Sequence, residues 1–89
     1  MSQSVESGTP INLSSSGAVS LTAGTLLGFY VNSTTAGTVV VRNGGSAGTA
    51  ISGTITPAIG FHRFPAYCPS GCYLTLANTI DLTAVFAAG

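Results

Sequence analysis

The residues that could carry chemistry in this chain are few. His62 is the single histidine, and Glu6 and Asp81 are the only acids. Nucleophilic catalysis needs a base beside the nucleophile and a third group that orients the base. Serines are abundant, so a combination of serine, histidine and acid can always be selected from the sequence, but no Gly-x-Ser-x-Gly motif accompanies it. The alternation of side chains around His62 predicts a half-exposed strand residue, and we expect a protein that is not an enzyme.

Cys68 and Cys72 form the other conspicuous pair, separated by Pro-Ser-Gly. A structural zinc site needs four ligands, and a redox motif needs the shorter Cys-x-x-Cys spacing, so we expect no metal and no cofactor. Two alternatives remain open. The cysteines could close a short disulfide if their Cα atoms lie within about 7 Å of each other. They could instead stay reduced and pack as small apolar groups, which a cytoplasmic origin favours.

The aromatic side chains are three tyrosines and four phenylalanines, with no tryptophan. Most of them stand where the core of a β protein needs large side chains. Phe64, Tyr67 and Tyr73 lie near a proline-containing segment and could line a contact surface, although the core is the stronger expectation for them as well.

The elements that would position these residues are β-strands. Apolar side chains alternate with period 2, β-branched residues are frequent, and no helical stripe with caps is present. Turn signals recur every 8–12 residues, which is typical of an antiparallel sandwich or barrel. We predict an all-β fold of about eight short strands, compact and jelly-roll-like. The predicted strands and turns include a hairpin of residues 25–32 and 38–42 around loop 33–37, a strand at 49–56, a loop at 65–71, and a closing hairpin around Ala77 and Asn78.

The charge content separates this chain from ordinary globular domains. Charged residues make up 4% of the 89 residues and the formal net charge is zero, whereas about 25% is usual. Two arginines do not form the basic face that nucleic acids require, and no segment approaches the roughly 18 apolar residues of a membrane span. Serine, threonine and glycine take the place of the missing charges. Such a surface suits close packing against other subunits, where an unpaired charge would be costly.

We expect a single domain at residues 11–89, preceded by an extended N-terminal arm at residues 1–10 that reaches a neighbouring subunit. Residues 1–6 show no basic region followed by an apolar stretch, so we expect synthesis in a cytoplasm rather than secretion.

Residues 28–41, with the sequence GFYVNSTTAGTVVV, residues 48–56, with GTAISGTIT, and residues 61–65, with FHRFP, carry a resemblance. Together with the strand and turn spacing of residues 24–86, they resemble small virion proteins of tailed bacteriophages, of the capsid decoration or cement type. That family offers no catalytic residues to carry over, and the cysteine pair is not typical of it.

The resemblance implies a protein on the outer surface of an assembled capsid, made in the host cytoplasm, with the major capsid protein and further copies of itself, often as a trimer, as partners. It implies neither nucleic acid nor membrane as a partner. Two alternatives stand beside it: a tail, fibre or baseplate component with a host-adhesion role, and a soluble carbohydrate-binding β-sandwich. The candidate interface residues are Val5, Pro10, Phe64, Tyr67 and Tyr73.

Overall fold

The structure is a computed structural model and describes residues 8–88. Those residues contain no helix, so the predicted all-β class is confirmed. Six strands form one sheet in which every pairing is antiparallel. In chain order they are β1 (Thr9–Leu13), β2 (Gly17–Ser20), β3 (Gly24–Asn43), β4 (Thr49–Ala50), β5 (Gly60–Cys68) and β6 (Cys72–Ala88).

The two long strands β3 and β6 form the centre of the sheet. They pair from Gly24 opposite Ala88 to Asn43 opposite Cys72. Each changes its outer neighbour along its length: β3 pairs first with β5 and then with β4, and β6 pairs first with β2 and then with β1. We call the part formed by β5, residues 24–35 of β3, residues 79–88 of β6 and β1 the first half-sheet. The second half-sheet comprises β4, residues 37–43 of β3, residues 72–77 of β6 and β2.

Two predicted hairpin turns are wrong, and these errors explain why the structure has six strands rather than the predicted number of about eight. The predicted loop at 33–37 and the predicted turn at Ala77 and Asn78 both lie within continuous strands, opposite each other in the β3–β6 ladder. Ala36 and Asn78 have φ angles of 55° and 61°, and the Asn78 side chain donates a hydrogen bond to the Ala36 carbonyl at 2.7 Å. The same tolerance of positive φ that favours a turn also permits a bulge, and here it produces an irregularity at the centre of the ladder.

Other predicted boundaries also move. The predicted loop at 65–71 is wrong in its first part, because β5 continues through Pro65 to Cys68. Proline is tolerated there because β5 is an edge strand and because Phe64 and Pro65 together oppose the single residue Leu27. The strand predicted at 49–56 is also too long, because only β4 and an isolated bridge between Val39 and Ile55 are paired there.

The N-terminal prediction falls partly outside the described residues. Residues 1–7, which include Val5, are not described. Thr9 and Pro10, the last residues of the predicted arm, belong to β1 and pair with Phe86 and Val85 of β6.

One hydrophobic core collects side chains from both half-sheets. Leu26, Phe29 and Val31 come from the first part of β3, and Val39 and Val41 come from its second part. Alternation along each strand turns side chains inward and their neighbours toward solvent. The register shift between Leu26 and Gly28 resets this alternation, so that Leu26 and Phe29 both face the core. The remaining buried members are Val19, Cys68, Cys72, Leu74, Ile80, Leu82, Ala84 and Phe86.

Candidate functional site

The cysteine pair lies in the core and is reduced. Cys68 ends β5 and Cys72 begins β6, and both are fully buried free thiols. The turn between them is closed by the Gly71 amide, which donates to the Cys68 carbonyl at 3.3 Å. Burial, and after it the neighbouring Cys68, raises the pKa of Cys72 from 9.0 to about 12. A thiol with such a pKa is a poor nucleophile at neutral pH, because the thiolate is the reactive form.

His62 is also held by local contacts. Its Nε2 atom lies 2.7 Å from the Ala58 carbonyl oxygen, and its ring packs against Phe29 with 5.6 Å between ring centroids. Residues 8–88 contain no group of three or more histidine, cysteine or acidic side chains that could hold a metal ion, and no pocket is found on them.

The predicted interface residues within the described part of the chain lie on three strands, β1, β5 and β6. Pro10 is exposed on β1, and Tyr67 is exposed on β5 of the first half-sheet. Phe64 is half-buried and packs against the core. Tyr73 lies in the second half-sheet, opposite Arg42. Val5 lies outside the described residues.

A different set of side chains, three exposed and one half-buried, lies in register across the first half-sheet. Asn12 of β1 is opposite Thr83 of β6, Thr83 is opposite Tyr30 of β3, and Tyr30 is opposite Phe61 of β5. Directly opposite residues point to the same side of a sheet, so these four form one row, which we call the aromatic row. Tyr30 and Phe61 are 47% and 52% exposed, and residues beside them in sequence, such as Val31, turn into the core.

A polar cluster surrounds the Asn12 end of the aromatic row. The Asn12 and Asn32 side-chain amides both donate to Asp81 Oδ1, at 2.9 and 3.0 Å. The same two amides approach the Thr83 hydroxyl at 3.4 and 3.2 Å, and Asn12 also donates to the Leu82 carbonyl. The hydrogen bonds from Asn12 and then Asn32 lower the pKa of the Asp81 carboxyl below its ordinary value, so Asp81 is ionised at neutral pH.

Arg42, in the second half-sheet, is likewise tied to the fold. Its Nε atom donates to the Thr75 hydroxyl at 2.9 Å, and a terminal nitrogen donates to the Gly48 carbonyl at 3.1 Å. This arginine therefore fastens the segment around Gly48 to the sheet rather than standing free in solvent.

The sequence contained a signal for the aromatic row that the prediction did not use. Phe61 and Phe64 are three residues apart, and in a strand with a period of two an odd separation places two side chains on opposite faces. One of the pair had to face solvent, and the structure shows that it is Phe61. The polar cluster had no such signal, because Asn12, Asn32 and Asp81 are far apart in the chain.

No family model, curated protein or solved structure matches this chain. Among the described residues, no helix meets the length and hydropathy that crossing a bilayer would require.

Proposed function

We propose that this chain is a structural protein of a virus particle, which binds the outer surface of an assembled tailed-phage capsid and stabilises it. Its partners are the major capsid protein and further copies of itself, arranged as a symmetric oligomer such as a trimer. It is made in the host cytoplasm and performs no catalysis. The observation that carries the proposal is an exterior with almost no available charge and with several large apolar side chains facing solvent.

The charged side chains support this proposal because they are few and because each already interacts with another group. Only Arg42, Arg63 and Asp81 are charged side chains within residues 8–88. Arg42 and Asp81 take part in the hydrogen bonds described above, and Arg63 is engaged as well. Covering this surface with another protein would therefore leave few ionic groups without water or a partner, which is the main cost of burying a polar surface.

The exposed apolar side chains supply a reason for association. Leu21, in the turn between β2 and β3, is 86% exposed, and Ile59, just before β5, is 64% exposed. Burying a large apolar side chain contributes about 1.5–3 kcal/mol. A ligand that binds only the assembled shell adds its binding free energy to the stability of that shell. A few such contacts in each copy, repeated over the whole capsid, would resist rupture.

A two-layered, jelly-roll-like sandwich is part of the proposal. The single core drawn from both half-sheets supports it, since two layers with their inner faces together produce one such core. A rigid body of this kind would present the outer faces of both layers to neighbouring subunits.

A particle with and without this protein tests the function. Particles from a phage that encodes the chain would be compared with particles of a deletion mutant by heating, with release of DNA followed by a fluorescent dye. We expect the mutant to release DNA at a lower temperature and the purified chain to restore the difference. Equal release temperatures, or a chain absent from purified particles, would contradict the proposal.

A tail, fibre or baseplate component is the second candidate. The aromatic row favours it, because exposed aromatic side chains are common anchors in recognition surfaces. Labelling the chain in intact particles distinguishes the candidates: label over the whole shell supports the capsid role, and label confined to the tail supports adhesion.

A further inference from the structure

We propose that the solvent face of the first half-sheet binds a neutral glycan, using Tyr30 and Phe61 as a platform and Asp81, Asn12 and Asn32 as the polar groups that recognise hydroxyls. This binding site is separate from capsid attachment, and it requires only the isolated chain.

The platform is formed by two aromatic rings on neighbouring strands. Tyr30 and Phe61 are directly opposite in the β3–β5 ladder, which places their Cα atoms about 4.5–5.5 Å apart. Both are about half exposed, and no pocket is found among residues 8–88. Sugar rings have an apolar face made of C–H groups, and burying that face against an aromatic ring removes apolar surface from water on both sides.

The Asp81 carboxylate determines which atoms of Asn12 and Asn32 remain available for a ligand. An ionised carboxylate only accepts hydrogen bonds, so the side of each asparagine that faces Asp81 must be its NH₂ group. The amide oxygens of Asn12 and Asn32 and the second carboxylate oxygen then remain as acceptors. Sugar hydroxyls can donate to such acceptors. Because the three side chains hold one another in place, a ligand would lose little additional side-chain entropy.

The register brings these two parts together. Thr83, which contacts both asparagines, is directly opposite Tyr30. The row from Asn12 to Phe61 crosses three strand spacings, or about 14 Å. A short oligosaccharide could therefore stack on the rings at one end while its hydroxyls reach the polar cluster at the other.

The charge of the face favours a neutral glycan. Asp81 would repel sulfated, phosphorylated or sialylated sugars placed against it. Arg63 lies on β5 opposite Gly28, beyond Phe61 as seen from the polar cluster, and it already has a partner. The face therefore offers an anionic polyelectrolyte no cluster of cations.

The test uses the full chain labelled with ¹⁵N and a panel of neutral oligosaccharides built from glucose, galactose, mannose and N-acetylglucosamine. We expect at least one of them to shift the side-chain NH₂ signals of Asn12 and Asn32 in a saturable way. Tyr30→Ala and Phe61→Ala should each weaken that binding at least 10-fold. Tyr67→Ala is the matched control, because Tyr67 is also an exposed aromatic residue of β5 but lies outside the aromatic row, and it should change binding less than 2-fold.

Thermal unfolding of each variant would show whether a loss of binding reflects a loss of folding. No saturable shift with any oligosaccharide of the panel, or equal affinity in wild type and Tyr30→Ala, would overturn the proposal. Concentration-dependent self-association that Tyr30→Ala abolishes, without glycan binding, would instead assign this face to a second copy of the chain. That result would leave the proposed capsid role to its own test, because capsid binding is measured on particles.

Discussion

The buried thiols allow a quantitative test of the core. Cys72 is fully buried, and burial, with Cys68 beside it, raises its pKa from 9.0 to about 12. At about pH 8 the thiolate fraction of an ordinary cysteine with the first value is about 10⁻¹, and with the second it is about 10⁻⁴. The pKa alone therefore predicts alkylation of native Cys72 that is slower by about 10³, and steric exclusion of the reagent adds to that factor.

The assay is alkylation by iodoacetamide under reducing-agent-free conditions, followed by mass spectrometry of peptides over time. We expect Cys68 and Cys72 to stay unmodified in the native protein and to react quickly in urea. A Ser70→Cys variant is the internal control, because Ser70 lies exposed in the turn between the two cysteines and its contact with Asn43 is made by its backbone amide. The introduced thiol should react in the folded protein at an ordinary rate.

Two results would refute the argument. Native Cys72 that reacts as fast as the Ser70→Cys thiol would mean that the thiol is not buried. Cysteines that resist the reagent even in urea until a reductant is added would mean that the pair forms a disulfide rather than two packed thiols.

Three other changes test separate features. Gly37→Ala would place a Cβ atom 2.5 Å from the Cβ of Ile80, so we expect the free energy of unfolding in urea to fall by at least about 2 kcal/mol. Gly53→Ala is the control: its Cβ meets nothing within 4 Å, and the free energy of unfolding should stay within about 0.5 kcal/mol of the wild type. The pKa of Asp81 is lowered in the folded state, so the wild type should lose stability as the pH falls below about 4 and this carboxylate is protonated. Urea unfolding of Asp81→Asn should lack that part of the pH dependence. Identical pH dependence in the two proteins would count against the polar cluster. Leu21→Ser should leave the melting temperature unchanged, because Leu21 is mostly exposed, but should lower the number of copies per particle counted by quantitative mass spectrometry; undiminished occupancy would remove Leu21 from the contact.

The all-β class followed from local pattern, because alternation and β-branched residues act within a single strand. The joining of strands did not. Ser33 to Gly37 and Ala77 to Asn78 have the composition of hairpin turns, and each was predicted to reverse the chain. In the folded protein the two segments face each other, and their positive-φ residues form an irregularity in one long ladder. Only the pairing of β3 with β6 distinguishes a bulge from a turn, and that pairing is a long-range property.

The candidate site divides in the same way. The exposure of one of Phe61 and Phe64 follows from their odd spacing, so the sequence alone predicts that one of these two rings faces solvent. The second ring of the platform required knowing that β3 lies beside β5. The polar cluster is more distant still, since Asn12 and Asp81 are 69 residues apart and meet only because β1 pairs with β6. Tyr67 and Tyr73 are close in sequence, but the structure places them in different half-sheets.

We propose above all that the sparsely charged, partly apolar exterior of this protein is covered by its neighbours in a capsid. A cryo-electron microscopy reconstruction of the particle tests it most directly. The account predicts density for this chain on the outside of the shell, with Leu21 and Ile59 in van der Waals contact with the major capsid protein or with another copy. A particle that lacks the chain, or one in which both side chains face solvent, would contradict it.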